Sequence, residues 1–123
     1  MSYTLTWHES NKALWLTLSG DYLPEEAKEV NRLILEELDQ SQSSLLLLID
    51  ATRMNRSYRF SDIRAVQTFM DHLKLKSIYV AADDRLVKLS MMIIFNLSRA
   101  SLYICDNVEK ALVSMQRQLL SLQ

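Results

Sequence analysis

Leu45-Leu46-Leu47-Leu48-Ile49-Asp50 sets five aliphatic side chains in a row and closes them with an acid. A half-buried strand alternates apolar with polar residues, so an unbroken run of this kind belongs to a strand covered on both faces, as in the middle of a parallel sheet. It is too short to be read as a buried helix. Polar residues 40–44 precede it and an arginine-rich loop follows Asp50, which bounds the strand at both ends. A strand covered twice needs helices from the neighbouring sequence.

Upstream, Ala27, Val30, Leu33, Ile34 and Leu38 recur at helical spacing behind Pro24, a residue suited to the first helical turn, which predicts a helix over 24–39. Before it, Tyr3, Leu5 and Trp7 alternate with Thr4, Thr6 and His8; after polar residues 9–12, Leu14, Leu16 and Leu18 alternate again up to Gly20. That is the pattern of an antiparallel hairpin. Downstream, Ser61-Asp62 opens a second helix, with Ser61 as its N-cap, carrying Ile63, Val66, Phe69, Met70 and Leu73 inward. Residues 77–82 form the next strand, and Asp83 and Asp84 stand where they cap a third helix over 85–98. Leu102-Tyr103-Ile104-Cys105 is a short last strand, and Asp106 with Glu109 has the form of a capping box before a final helix bearing Val108, Ala111, Leu112, Met115 and Leu119.

The order is β-β-α-β-α-β-α-β-α, an α/β chain with an N-terminal β-hairpin followed by alternating βα units. Right-handed crossovers then give a mostly parallel five-stranded sheet with about four helices. Residues 1–123, 49% hydrophobic, are enough for one core and too few for two, so a single domain is expected.

Fourteen Lys and Arg against fifteen Asp and Glu leave a formal charge of −1, the balance of an ordinary protein surface and not of a nucleic-acid binder. Cys105 is the only cysteine, so an intrachain disulfide and a thiolate zinc cage are excluded and a reducing compartment suits the chain. The start of the chain lacks a basic segment followed by an apolar one, and the apolar runs 45–49 and 91–95 fall far short of the ~20 residues that span a bilayer. A cytoplasmic protein without a membrane span is expected. Gly20 is the only glycine, so there is no glycine-rich phosphate loop, and no cofactor is expected.

Leu47-Leu48-Ile49-Asp50 leading through a loop to Ser61-Asp62-Ile63, together with the ending from Tyr103-Ile104-Cys105-Asp106 to Ala111-Leu112, resembles STAS domains (sulfate transporter and anti-sigma factor antagonist) and SpoIIAA-like proteins. The resemblance covers nearly the whole chain. It implies a non-catalytic regulatory protein–protein interaction module of the anti-sigma factor antagonist kind, docking through the loop and helix start after the central strand. It also implies a serine phosphorylated there by a partner kinase, usually in an Asp-Ser-Ser-Gly stretch. Residues 51–62 contain no such stretch; Ser57 and Ser61 are the serines available.

Arg53, Arg56, Arg59 and Arg64 fall within twelve residues, beside Ser57 and Tyr58, at the carboxyl end of the central strand where open α/β sheets bind ligands. Guanidinium groups there suit a phosphate, a carboxylate or an acidic partner surface, or else they pair with Asp50, Asp62, Asp83 or Asp84. Asp21, Asp50, Asp83, Asp84 and Asp106 each follow a predicted strand and gather at one edge, but helix capping accounts for several of them and no metal site is expected. His8, His72 and Cys105 have no motif around them, and no Gly-x-Ser-x-Gly elbow is present, so an enzyme is not expected. The third helix is apolar on more than one face. Met91, Met92, Ile94 and Phe95 either enter the core or form an interface, with a homodimer, a protein partner of unknown identity, or a small molecule or lipid as the alternatives. Trp7 and Trp15 lie on paired strands, facing whichever side the hairpin register dictates.

Overall fold

Pairing of Tyr3 with Leu18 and of Trp7 with Leu14 closes the N-terminal hairpin, strand β1 (Tyr3–Glu9) running antiparallel to β2 (Ala13–Gly20). The computed structural model describes residues 2–56 and 59–121. After the hairpin come α1 (Pro24–Gln40), β3 (Leu45–Met54), α2 (Phe60–Val66), a 3-10 turn (Thr68–Asp71), β4 (Leu75–Ala81), α3 (Arg85–Ile94), β5 (Ser101–Cys105) and α4 (Val108–Ser121). The five strands lie side by side in chain order, and β2 to β5 are all parallel.

Strand order equal to chain order, with right-handed crossovers, puts every intervening helix on one face. Accordingly Ala27, Val30, Ile34 and Leu38 of α1, Ile63 of α2 and Val87, Met91 and Ile94 of α3 share one core with Leu14, Leu16, Leu47, Ile49, Ile78 and Val80. On the opposite face α4 buries Ala111, Met115 and Leu119 against Leu46, Leu48, Tyr79 and Ala81. The leucine run is thus split strictly by parity: Leu45, Leu47 and Ile49 face one layer, Leu46 and Leu48 the other, all at 1% exposure or less. Gly20 ends β2 at φ +63, and nothing lies within 4 Å of where its Cβ would be, so the backbone and not crowding asks for glycine.

Four local expectations are corrected. Helix α2 starts at Phe60 with Arg59 as its N-cap, without a side-chain cap bond, so Ser61 lies inside the first turn and does not cap it. Phe60 packs against the core, and burying it moves the helix start two residues toward the N-terminus. The same helix stops at Val66 because Gln67 leaves helical geometry at φ −97 and ψ 74; the 3-10 turn then carries Phe69 and Met70 inward and leaves Leu73 73% exposed. Asn31 on α1 fixes this turn, its Oδ1 accepting from the Phe69 amide at 2.8 Å. Helix α3 ends at Ile94, and Leu97 beyond it takes φ +60. Finally, α4 is capped by Asn107, whose Oδ1 accepts from the Lys110 amide at 2.8 Å, while Asp106 turns to Lys88 and Lys110.

Candidate functional site

Parallel strands deliver their following loops to one edge of the sheet, so the turns after β2, β3, β4 and β5 meet at the carboxyl edge. Polar contacts tie these loops in series. Asn55 Nδ2 donates to Asp21 Oδ1 at 2.9 Å, joining the turns after β3 and β2. Arg56 then reaches across to Asp84, with Nη2 3.1 Å from Oδ2 and Nε 3.2 Å from the same oxygen. Asp84 is itself the cap of α3, its Oδ1 accepting from the Leu86 amide at 2.8 Å and the Val87 amide at 3.1 Å. Lys88 on α3 pairs with Asp106, joining α3 to the turn before α4. Arg56 beside it, and the Val87 amide after that, hold the Asp84 carboxyl below its usual range. Lys88 does the same for Asp106.

The arginine segment therefore joins neighbouring elements. Arg59 pairs with Asp62 one turn on at 3.2 Å, and Arg64 Nη2 donates to the Asn96 carbonyl at 2.7 Å, linking α2 to the end of α3. Arg53 near the end of β3 and Ser61 on α2 are both exposed. Ser57 and Tyr58 lie outside the described residues.

Below this edge, a buried bond braces α2. Tyr22, just after β2, donates its hydroxyl to Gln67 Oε1 at 3.1 Å, with both residues buried. Burial pushes the Tyr22 hydroxyl well above the usual phenol range, so it remains a donor.

Of the four α3 residues named as possible interface, Met91, Ile94 and Phe95 belong to the core, Phe95 lying edge-on to Phe69 at 6.1 Å. Helical phase decides this: these side chains share the stripe of Val87, and only Met92 turns outward. The outward stripe is Leu86, Leu89, Met92 and Leu97, exposed by 47, 51, 53 and 86%. It adjoins α2 through the Arg64–Asn96 bond.

Other candidates disperse. His8 lies on β1 beside Trp15, with ring centroids 5.7 Å apart, His72 Nε2 is 2.8 Å from Asp39, and Cys105 is on β5 at the opposite edge of the sheet from His8. Asp50 accepts from the Thr52 amide at 3.0 Å. Among the described residues no group of three or more His, Cys, Asp and Glu is placed to hold a metal ion, and no helix is long and apolar enough to cross a membrane. Trp7 pairs with Leu14 and so faces the α1 side, whereas Trp15 faces the α4 side and donates to Thr17 Oγ1 at 3.1 Å. Sequence reasoning missed Tyr22–Gln67, Asn55–Asp21 and Lys88–Asp106. Their partners are 45, 34 and 18 residues apart, beyond any local pattern.

No protein-family model matches the chain, and no curated protein does. Among solved structures the chain is similar to that of an uncharacterised protein of the DUF3478 family with a SpoIIAA-like fold from Shewanella loihica PV-4. The match has a TM-score of 0.66 at 12% identity and covers 92% of this chain and 91% of that one. At that identity the likeness is one of architecture, and the chain has a SpoIIAA-like α/β fold.

Proposed function

We propose that the chain is a non-catalytic regulatory module that docks a protein partner through the loop after β3 and the start of α2 at the carboxyl edge and along the outward side of α3, which runs from that edge back toward the opposite one. The observation that carries this reading is the stripe of Leu86, Leu89, Met92 and Leu97, left uncovered beside an arginine segment that contacts both ends of α3, Arg56 at Asp84 and Arg64 at the Asn96 carbonyl. An apolar stripe with a polar rim is the anatomy of a recognition surface. Leu97 adds to this, because a branched residue at φ +60 carries strain and its side chain is spent on solvent. Regulation would act by occupancy, with Ser57 or Ser61 as the serines available for a charge switch.

The test is quantitative capture from cell extract with the full chain, comparing wild type with Leu89→Glu and Arg64→Glu on the proposed surface and with Glu37→Lys far from it. One protein retained by wild type and by the Glu37 variant, and lost with the other two, supports docking. A small-molecule or lipid mass on the native chain, lost with Leu89→Glu while no protein is lost, would replace it with a ligand carrier.

A further inference from the structure

Strand β5 ends the sheet on one side, and among the described residues no strand pairs with its outer edge. Exposed edges pair with other chains unless they are blunted by charge, proline or a bulge. The opposite edge, β1, is blunted by a register shift between Trp7 and Glu9. By contrast, β5 reads Ser-Leu-Tyr-Ile-Cys, carries no charge or proline, and pairs with β4 in unbroken register. Charge, proline and bulge are thus all absent from this edge strand.

What covers it can be read from the side of α4 that overlooks it. A trough of about 540 Å³ runs between Cys105 of β5 and α4, where Glu109, Val113 and Arg117 face it. It continues into a second hollow of about 410 Å³ at Tyr103, Arg117 and Gln118. Tyr103 lies flat on Tyr79, with centroids 4.9 Å apart and planes at 12°, and is 45% exposed. Glu109, Val113 and Arg117 stand four residues apart, an acid and a base at equal distances either side of an apolar centre. Under a twofold axis near Val113, antiparallel copies of α4 set each Glu109 opposite the Arg117 of the other copy and bring the two Val113 side chains to the centre. A polar sequence with this symmetry matches itself and needs no second protein.

We propose that two copies of the chain join β5 to β5 antiparallel about this twofold axis, making one continuous sheet from their two five-stranded sheets. Distances agree. Helix α4 packs on β3, β4 and β5, so its axis lies over β4. The two β4 strands stand three strand spacings apart across the joint, which separates the helices by about 14 Å. That exceeds the ~8–10 Å of bare helix contact. The channel so formed is filled from below by the two Tyr103 rings and spanned by the long Glu109 and Arg117 side chains. Lys110 stays with its own Asp106 at 3.7 Å and takes no part.

Sedimentation equilibrium of the full chain tests this. Wild type is expected to be a dimer. Tyr103→Lys places two ammonium groups by the axis and gives a monomer with an unchanged circular dichroism spectrum. Glu109→Arg or Arg117→Glu alone turns two attractions into two repulsions and weakens the dimer roughly tenfold or more, while the double swap restores it. Leu89→Glu on α3 leaves the dimer unchanged. A monomeric wild type up to roughly 0.1 mM overturns the proposal, as does a dimer that resists the Tyr103 and charge variants or breaks with Leu89→Glu. An extended peptide partner at the same edge would leave wild type monomeric when purified and so counts as refutation.

Discussion

Replacing Tyr22 with Phe removes one oxygen atom from the interior and tests how the carboxyl edge is held. Tyr22 is 3% and Gln67 4% exposed, and their bond of 3.1 Å fixes the residue at which α2 ends. Losing a buried hydrogen bond while leaving its acceptor in place costs the desolvation of that acceptor, about 2 kcal/mol here, within a range of roughly 1–3. For a chain of this size each kcal/mol lowers the melting temperature by about 4 °C, so Tyr22→Phe should melt about 8 °C below wild type. Urea unfolding followed by circular dichroism should show a lower midpoint and an unchanged slope. Tyr22→Phe combined with Gln67→Met removes both polar groups and should recover to within about 1 kcal/mol of wild type. If Tyr22→Phe lies within about 0.5 kcal/mol of wild type, the Gln67 oxygen reaches water and the brace is not one. If the double variant is worse than the single, packing and not the hydrogen bond dominates.

Leu97→Gly removes left-handed strain from a residue 86% exposed, so thermal denaturation should show a gain of up to ~1 kcal/mol. The same change should weaken partner retention at the α3 stripe, so stability and binding move in opposite directions. The carboxyls of Asp84 and Asp106 titrate below their usual value, so their contribution is complete above the unfolded value of about 3.9 and is lost as pH falls through the lower folded values. Urea midpoints measured on acidification should therefore fall below about pH 4, and Asp84→Asn, which keeps an acceptor for the cap, should flatten that fall. Leu47→Ala opens a hole beneath the helices at a fully buried position and should cost about 3–4 kcal/mol in the same urea assay.

Much of the architecture was legible in the chain because it is written in short-range pattern. The run Leu45 to Ile49 announced a strand covered twice, and the alternation at Leu14, Leu16 and Leu18 and the spacing Ala27, Val30, Ile34 and Leu38 supplied its neighbours. Asp84 as cap of α3 followed from a local rule, since a cap bonds amides two and three residues on. Ser61 shows the limit of that rule: a good cap residue was set aside because burying Phe60 favoured an earlier start.

The site was less legible. Composition named the arginines, but Arg56 chose Asp84 and Arg64 chose the Asn96 carbonyl because the fold brings together segments 28 and 32 residues apart. Likewise, which residues of α3 face the core depended on helical phase against a sheet that had first to form, so Met91, Ile94 and Phe95 went inward and Met92 outward. Periodicity and capping are set by interactions within a few residues, and the sequence by itself determines them. Edges, pairs and uncovered faces exist only after distant segments meet, and for this protein they came from the folded chain alone.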